Sequence, residues 1–424
     1  MSFGIPVRNG VMLGLTASTA LTTRGGFPVP ALSLNFLSGT LDSRITFTRA
    51  LNTATRTNSS GLIETVNANI PRFDYDPVTL QPRGLLVEEA RTNLALYSEQ
   101  FDNPAWSKLN ATVTANATSS PDGTVNADKL AEDATAAVGH LISQGPTLTA
   151  VAHTYSVYAK ASERNWICLL NNSVANVLAF FNLTTGTIGT VGSATTATIT
   201  NAGNGWYRCS ITFTAIAAPN NCHIRLAPSD NVLSYNGVAG NGAFIYGAQI
   251  EAGAFATSYI PTVASTVTRN ADTATMTGTN FSSWYNASEG AFISWFDTLS
   301  PTAQRYIYSA NAGGAIGNSF FQTILSNTTD SYIFSGGVQQ ARLLTGTINA
   351  DVPAKLGLRY ANANFAVAAN GGGLQTQLSG SLPVGIDRLH IGRSAGNAAF
   401  LNGHITKLFW YTSLTNAELV ALTK

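Results

Sequence analysis

Short runs in which apolar and polar residues alternate, separated by clusters of Gly, Asn, Pro and Thr, recur from residue 95 to residue 411, and helical periodicity is almost absent. This texture restricts the chain to pleated sheet, because a period of two sends successive side chains to opposite faces of a strand. The clearest run is Trp206 to Phe213, where Tyr207, Cys209, Ile211 and Phe213 share one face and Trp206, Arg208, Ser210 and Thr212 share the other. Half-buried antiparallel strands have this form. Similar runs are His153 to Ala159, Ala243 to Glu251, Gly290 to Phe296 and His404 to Tyr411. Asn370-Gly371 and Thr185-Gly186 lie between such runs, where a hairpin needs residues tolerant of positive φ. The fold class expected is all-β, of sandwich type. The exception is Thr415 to Glu418, a capping box with Leu414 and Leu419 placed as a hydrophobic staple, which predicts one short C-terminal helix.

The 424 residues allow about two to four domains, each with its own core. The stretch Tyr259 to Thr268 closes one patterned region and Arg269-Asn270-Ala271-Asp272 opens another, so a boundary is placed near 262. Residues 1 to 94 differ in texture: the first 30 are rich in Gly, Thr and Pro, and residues 40 to 92 hold most of the concentrated charge, including Arg49, Arg72, Glu88 and Glu89. The expected domains are an attachment or docking region over 1–94, a sandwich over 95–262 and a second sandwich over 263–424. Val11 to Leu21, after Arg8, is short, interrupted by Thr and Ser and without a strong basic start, so a chain that keeps its N-terminus and is ordered from Met1 onward is expected. No run approaches the 18 or so apolar residues that a membrane helix requires.

Charge excludes several function classes. Lys and Arg number 23 against 22 Asp and Glu, and charged residues make up 11% of the chain, where about 25% is usual. Clustered Lys and Arg for phosphate neutralisation are missing, which argues against a nucleic-acid partner and against a polybasic membrane anchor. Cys168, Cys209 and Cys222 cannot all pair within one chain and lack CxxC spacing, so three reduced thiols in or near strands are expected, as in a protein made in a reducing cytosol.

With these segments in view, a resemblance can be stated. Ile45 to Ala50, Gly61 to Glu64, Pro71 to Pro77 and Arg83 to Leu94 resemble the start of tailed-phage and prophage surface proteins of the head-spike, head-fibre and tail-fibre kind. Tyr97 to Trp106, Gly205 to Arg208, Tyr246 to Glu251 and Ser258 to Pro261 are similar to the carbohydrate-binding-module-like jelly roll of that group. Residues 272 to 424, ending in Gly403 to Tyr411 and Leu414 to Leu419, resemble a concanavalin-A-like or laminin-G-like β-sandwich. The resemblance implies a virion structural protein made in the bacterial cytoplasm. It would bind other virion proteins through its N-terminal region, form a homo-oligomer, with a trimer favoured, and present lectin-like modules to host-surface glycans. A decoration or fibre protein that binds no sugar is the alternative, and a glycan depolymerase is a third reading.

Sugar binding needs aromatic faces for the C–H side of a pyranose and amide, carboxylate or hydroxyl partners for its hydroxyls. Trp106, after Asp102-Asn103-Pro104, and Trp284-Tyr285 beside Asn286 sit in turn-like surroundings, and the loop around Tyr235-Asn236 is a third place. These six residues are the candidate carbohydrate-binding set; exposed rings would favour the adhesin and buried rings the structural protein. For a depolymerase the carboxylate pairs are Asp74 with Asp76 and Glu88 with Glu89, but Arg72, Arg83 and Arg91 surround them and would lower the pKa that a general acid needs raised. His140, His153, His223, His390 and His404 show no zinc-enzyme spacing, and neither a phosphate loop nor a GxSxG elbow is present. No catalytic residue, no enzyme activity and no cofactor are expected. A structural calcium ion is conceivable at Asp122, Asp128 or Glu251, which form no motif.

Overall fold

The alternating runs pair into four large antiparallel sheets, which stack as two sandwiches in a computed structural model that describes residues 27–424. The first sandwich opposes two six-stranded sheets. One runs Thr196–Asn201, Trp206–Thr214, Ala152–Ala161, Gly242–Ala252, Val125–Glu132, Ala111–Ser119; the other runs Thr187–Val191, Leu178–Asn182, Trp166–Asn171, Cys222–Ala227, Leu141–Gln144, Ser107–Leu109. Between them Cys209, Ile211 and Phe213 meet Ile167, Leu169 and Phe181, while Trp206 faces outward into a separate aromatic cluster with Tyr158, Tyr246 and Tyr259. The two faces read from Trp206 to Phe213 are therefore the inner and outer faces of one sheet. Asn370 and Gly371 take φ of 47° and 76° between Asn364–Ala369 and Gly372–Gln377, the left-handed pair a tight hairpin requires.

The second sandwich differs from the expected domain plan. Its eight-stranded sheet contains Glu289–Phe296, Ala354–Ala361 and Gly403–Tyr411, and also Leu32–Asn35, Arg72–Tyr75 and Pro82–Val87. Thr46–Thr48 extends the opposing seven-stranded sheet by pairing with Thr273–Thr277. Most strands in the described part of residues 1–94 are thus built into the C-terminal sandwich rather than set apart from it, while Ala54–Thr57 and Ile63–Val66 pair only with each other and Arg91–Asn93 pairs with Val267–Arg269. The cause is apolar: Leu32, Leu34, Phe47, Phe73, Leu85 and Val87 point into the same core as Phe292, Tyr308 and Trp410. The expectations for Met1 and for Val11 to Leu21 lie outside the described residues.

The terminal helix, Asn416–Leu422, carries the reciprocal cap read from the sequence, with Thr415 Oγ1 accepting from the Glu418 N–H at 3.2 Å and the Glu418 carboxylate accepting from the Thr415 N–H at 2.7 Å. Its Leu419 packs on Ala291 and Ile293, on the outer face of the eight-stranded sheet. A single helical turn, Thr279–Ser282, was not expected. All three cysteines are free and buried, and burial raises the Cys168 and Cys222 thiols to about 12. No helix among the described residues is long and apolar enough to cross a membrane.

Candidate functional site

The seam between the sandwiches is ionic. Arg72 reaches Glu88 at 2.8 Å and also pairs with Asp272; Arg49 pairs with Asp272 at 3.0 Å and Arg269 with Glu88 at 3.1 Å. Each of these five side chains is 1% exposed or less. Burial alone would raise the Glu88 carboxyl, but Arg269, Arg72 and the Ser258 N–H and Oγ, at 2.8 and 2.6 Å, hold it well below the usual carboxylate range. The Arg49 guanidinium also donates to the carbonyls of Val66, Asn67 and Ile70. The cluster ties segment 49–88 to 258–272, the linker that leaves the first sandwich.

Beside this seam lies a cleft of about 550 Å³. One wall is the outer face of the first sandwich, where the edge strand Thr196–Asn201 and its neighbour present Thr196, Thr198, Thr200, Arg208, Ser210 and Thr212. The facing wall comes from the second sandwich through Asp74, Tyr75, Arg83, Asp351 and His404, and from the hairpin strand Ala54–Thr57 through Arg56. The segment Ala254–Ser258 closes one side, with the Phe255 ring gripped by the guanidinium groups of Arg91 and Arg305 at 5.0 and 5.3 Å. Arg208 is fixed over the Tyr158 ring and donates to the Thr257 carbonyl at 2.6 Å. Hydroxyls, guanidinium groups and half-buried aromatic rings thus converge on one space. This is donor, acceptor and stacking chemistry suited to a polyhydroxylated ligand.

His404 lies at the cleft wall between two carboxylates, with Nδ1 at 2.8 Å from Asp297 and Nε2 at 3.0 Å from Asp74. Burial would lower its pKa, but Asp297 and Asp74 raise it to about 9, so the imidazolium form is the folded one near neutrality. A folded pKa above the ordinary 6.5 contributes stability that is fully present below about pH 6.5 and is lost as pH rises through about 9. The shift corresponds to about 3 kcal/mol. Urea unfolding at pH 6 and pH 9.5 measures it: the wild type should lose most of that amount, and Asp297→Asn should start less stable and lose less.

The candidate sugar-binding residues of the sequence do not gather here. Trp106 is 0% exposed; its Nε1 donates to the Tyr97 carbonyl at 3.0 Å and its ring packs on Phe101. Trp284 is 6% exposed, donates to the Asn280 carbonyl and packs on Phe281 and Trp410. Both readings as exposed platforms are therefore corrected: Trp106 belongs to the core of the first sandwich and Trp284 to that of the second. Tyr285 is half-buried against Phe281 and Tyr360, and the Asn286 carbonyl accepts from the Tyr360 hydroxyl at 2.7 Å. Tyr235 donates to Glu132 at 2.6 Å beneath Arg164, and Asn236 Oδ1 accepts from the Ala137 N–H, so this pair pins its own loop.

The carboxylates are also committed within the protein. Asp76 caps its own turn at Val78 and Thr79, and Glu89 pairs with Arg91 and Arg305. Asp122, Asp128 and Glu251 each accept from nearby side-chain or main-chain donors, and no three potential metal ligands converge among the described residues. The cleft residues Thr198, Arg208 and Phe255 escaped sequence reasoning, because nothing in their local pattern announces that a second sandwich faces them.

No protein-family model matches the chain, and no curated protein matches it. Among solved structures it is similar to the Ruminococcus gnavus IT-sialidase CBM40 bound to α2,3-sialyllactose, at 17% identity and a TM-score of 0.30 over 34% of this chain and 88% of that one. It is similar to the Streptococcus pneumoniae NanB sialidase, at 12% identity and a TM-score of 0.31 over 35% of this chain and 26% of that one. Sheep galectin-11 in complex with glycerol aligns at 13% identity and a TM-score of 0.23, over 30% of this chain and 91% of that one. Likenesses of this size carry no argument about what the chain binds.

Proposed function

We propose that this chain is a non-enzymatic surface adhesin, a head or tail spike or fibre of a phage virion, that holds host-surface glycans in the cleft between its two sandwiches. The observation that carries the reading is the cleft itself, where a threonine-rich sheet face opposes Arg56, Tyr75 and Asp351 across about 550 Å³. Such a space lies within the range of small-molecule sites. The pairing of Glu88, Glu89 and Asp76 with donors of the protein supports a binding role over hydrolysis, since a general acid needs a raised pKa. Attachment to other virion proteins is assigned to the N-terminal region. A trimer would cover exposed edge strands such as Gly372–Gln377 and multiply weak sugar contacts.

A glycan array and a host-cell binding assay with wild type, Thr198→Trp and Tyr75→Ala test the reading. Thr198 is exposed on an edge strand, so a bulky side chain fills the cleft without disturbing either core. Specific wild-type binding reduced roughly tenfold or more in both folded variants is expected, as loss of a stacking face and a hydrogen-bonding wall implies. Binding that both variants retain would refute the cleft as the site. The burial of Trp106 and Trp284 favours a second reading, a decoration or fibre protein with no sugar ligand; wild type that binds no glycan and no host cell would select it.

A further inference from the structure

A second constellation lies on the outer face of the eight-stranded sheet, and none of its residues lines the cleft. Trp295 stands directly opposite Lys355 on one neighbouring strand and Lys407 on the other, so the three form one row across Ala354–Ala361, Glu289–Phe296 and Gly403–Tyr411. Alternation fixes their direction. Phe296, next in sequence, enters the core, which sends Trp295 to the opposite face, where the terminal helix covers Ala291 and Ile293 and leaves Trp295 half-buried at its rim. The two ammonium groups sit 4.2 and 4.1 Å from the indole centroid, and Phe409 meets the same ring edge-on at 6.4 Å.

Two like charges held this close to one ring repel each other, and the indole offsets only part of that cost. Lys129 and Arg164, also partly buried, are each met by a carboxylate, from Glu163 and Glu132. Here no carboxylate side chain stands within ion-pair distance among the described residues, and residues 1–26 contain no Asp or Glu to supply one. The acidic side chain of the adjoining helix, Glu418, is turned to Thr415. Lys355 donates to the main-chain oxygen of Lys424, the last residue of the sequence, so the cation without an oxygen partner among the described residues is Lys407; the nearby Arg359 donates to Asn364 and Asn416, both uncharged. Burial and the neighbouring Lys355 both lower the Lys407 pKa, the direction expected of a cation without a counter-charge.

We propose that Lys355, Trp295 and Lys407 form a seat for an acidic sugar, with its carboxylate bridging the two ammonium groups and its pyranose C–H face against Phe409 and the rim of the indole. A bridging carboxylate relieves the repulsion and gains two charge-assisted hydrogen bonds. The aromatic pair beside the cations gives a sugar ring what a bare inorganic anion cannot use. This seat is independent of the cleft, so either can fail without the other.

The test is titration calorimetry of the full chain at low salt with trigalacturonate, with neutral maltotriose and with inorganic phosphate. Trigalacturonate should bind, maltotriose should not, and phosphate should bind more weakly than trigalacturonate. Lys355→Gln and Lys407→Gln should each weaken trigalacturonate about tenfold, as loss of one charge-assisted bond implies, while Lys407→Arg retains binding. Both lysines lie at the rim, so the variants should unfold at the wild-type temperature, measured alongside. The proposal is overturned if wild type does not bind trigalacturonate, if maltotriose or phosphate binds as well, or if both glutamine variants bind as tightly as wild type.

Discussion

Asp272→Ala is expected to lower the folding free energy by about 3–5 kcal/mol, because it strands two buried guanidinium groups at once. Arg49 and Arg72 share the Asp272 carboxylate, and neither side chain has solvent exposure from which water could replace it. Glu88 also loses support, since its own N–H donates to Asp272 at 3.0 Å. The cost is that of an uncompensated charge, not the worth of one ion pair. Arg388→Ala is the contrast: Arg388 and its partner Asp387 are 30% and 50% exposed, and its loss should cost less than about 1 kcal/mol. Denaturant unfolding of both variants measures the difference. An Asp272→Ala protein as stable as wild type would mean that the ionic seam does not hold segment 49–88 in place.

The second large effect falls on Trp106. Trp106→Ala should cost about 3–5 kcal/mol through the cavity left in the first sandwich, because the ring is fully enclosed against Phe101 and its N–H is the partner of the Tyr97 carbonyl. Trp284→Ala should act in the same direction in the second sandwich, where four aromatic rings close around the indole. Unfolding midpoints and near-ultraviolet dichroism check both. Any loss of ligand binding in these variants should track the unfolded fraction; a folded, stable Trp106→Ala protein with selectively lost binding would return that residue to the candidate site.

The sequence was most informative where structure is set by neighbours in the chain. The two faces of Trp206 to Phe213, the Asn370-Gly371 turn and the Thr415 to Glu418 capping box all follow from local periodicity, φ preference or a four-residue hydrogen-bond loop. What it hid is set by pairing at long range. Thr46–Thr48 finds Thr273–Thr277, some 225 positions away, and no local pattern in either segment specifies that register. The same limit explains the charges of residues 40–92: their density reads as a solvated docking surface, whereas Arg49, Arg72 and Glu88 are consumed by Arg269 and Asp272 from the linker after the first sandwich. Asp102-Asn103-Pro104 does make the turn its residues favour, with Asn103 Oδ1 accepting from the Ala105 N–H. That local pattern does not show that the ring after the turn joins the core of the first sandwich, as Trp106 does.

The cleft, formed by residues from segments near 56, 75, 198, 208, 255 and 351, was invisible for the same reason. The role proposed for it, a glycan seat, is tested most directly by hydrogen–deuterium exchange of the full chain with and without the glycan that binds best on the array. Slower exchange confined to residues 196–212, 254–258 and 72–76 is predicted, since a ligand in the cleft covers those main-chain amides. Protection centred on residues 281–286 or 231–237, with the cleft unaffected, would contradict the account.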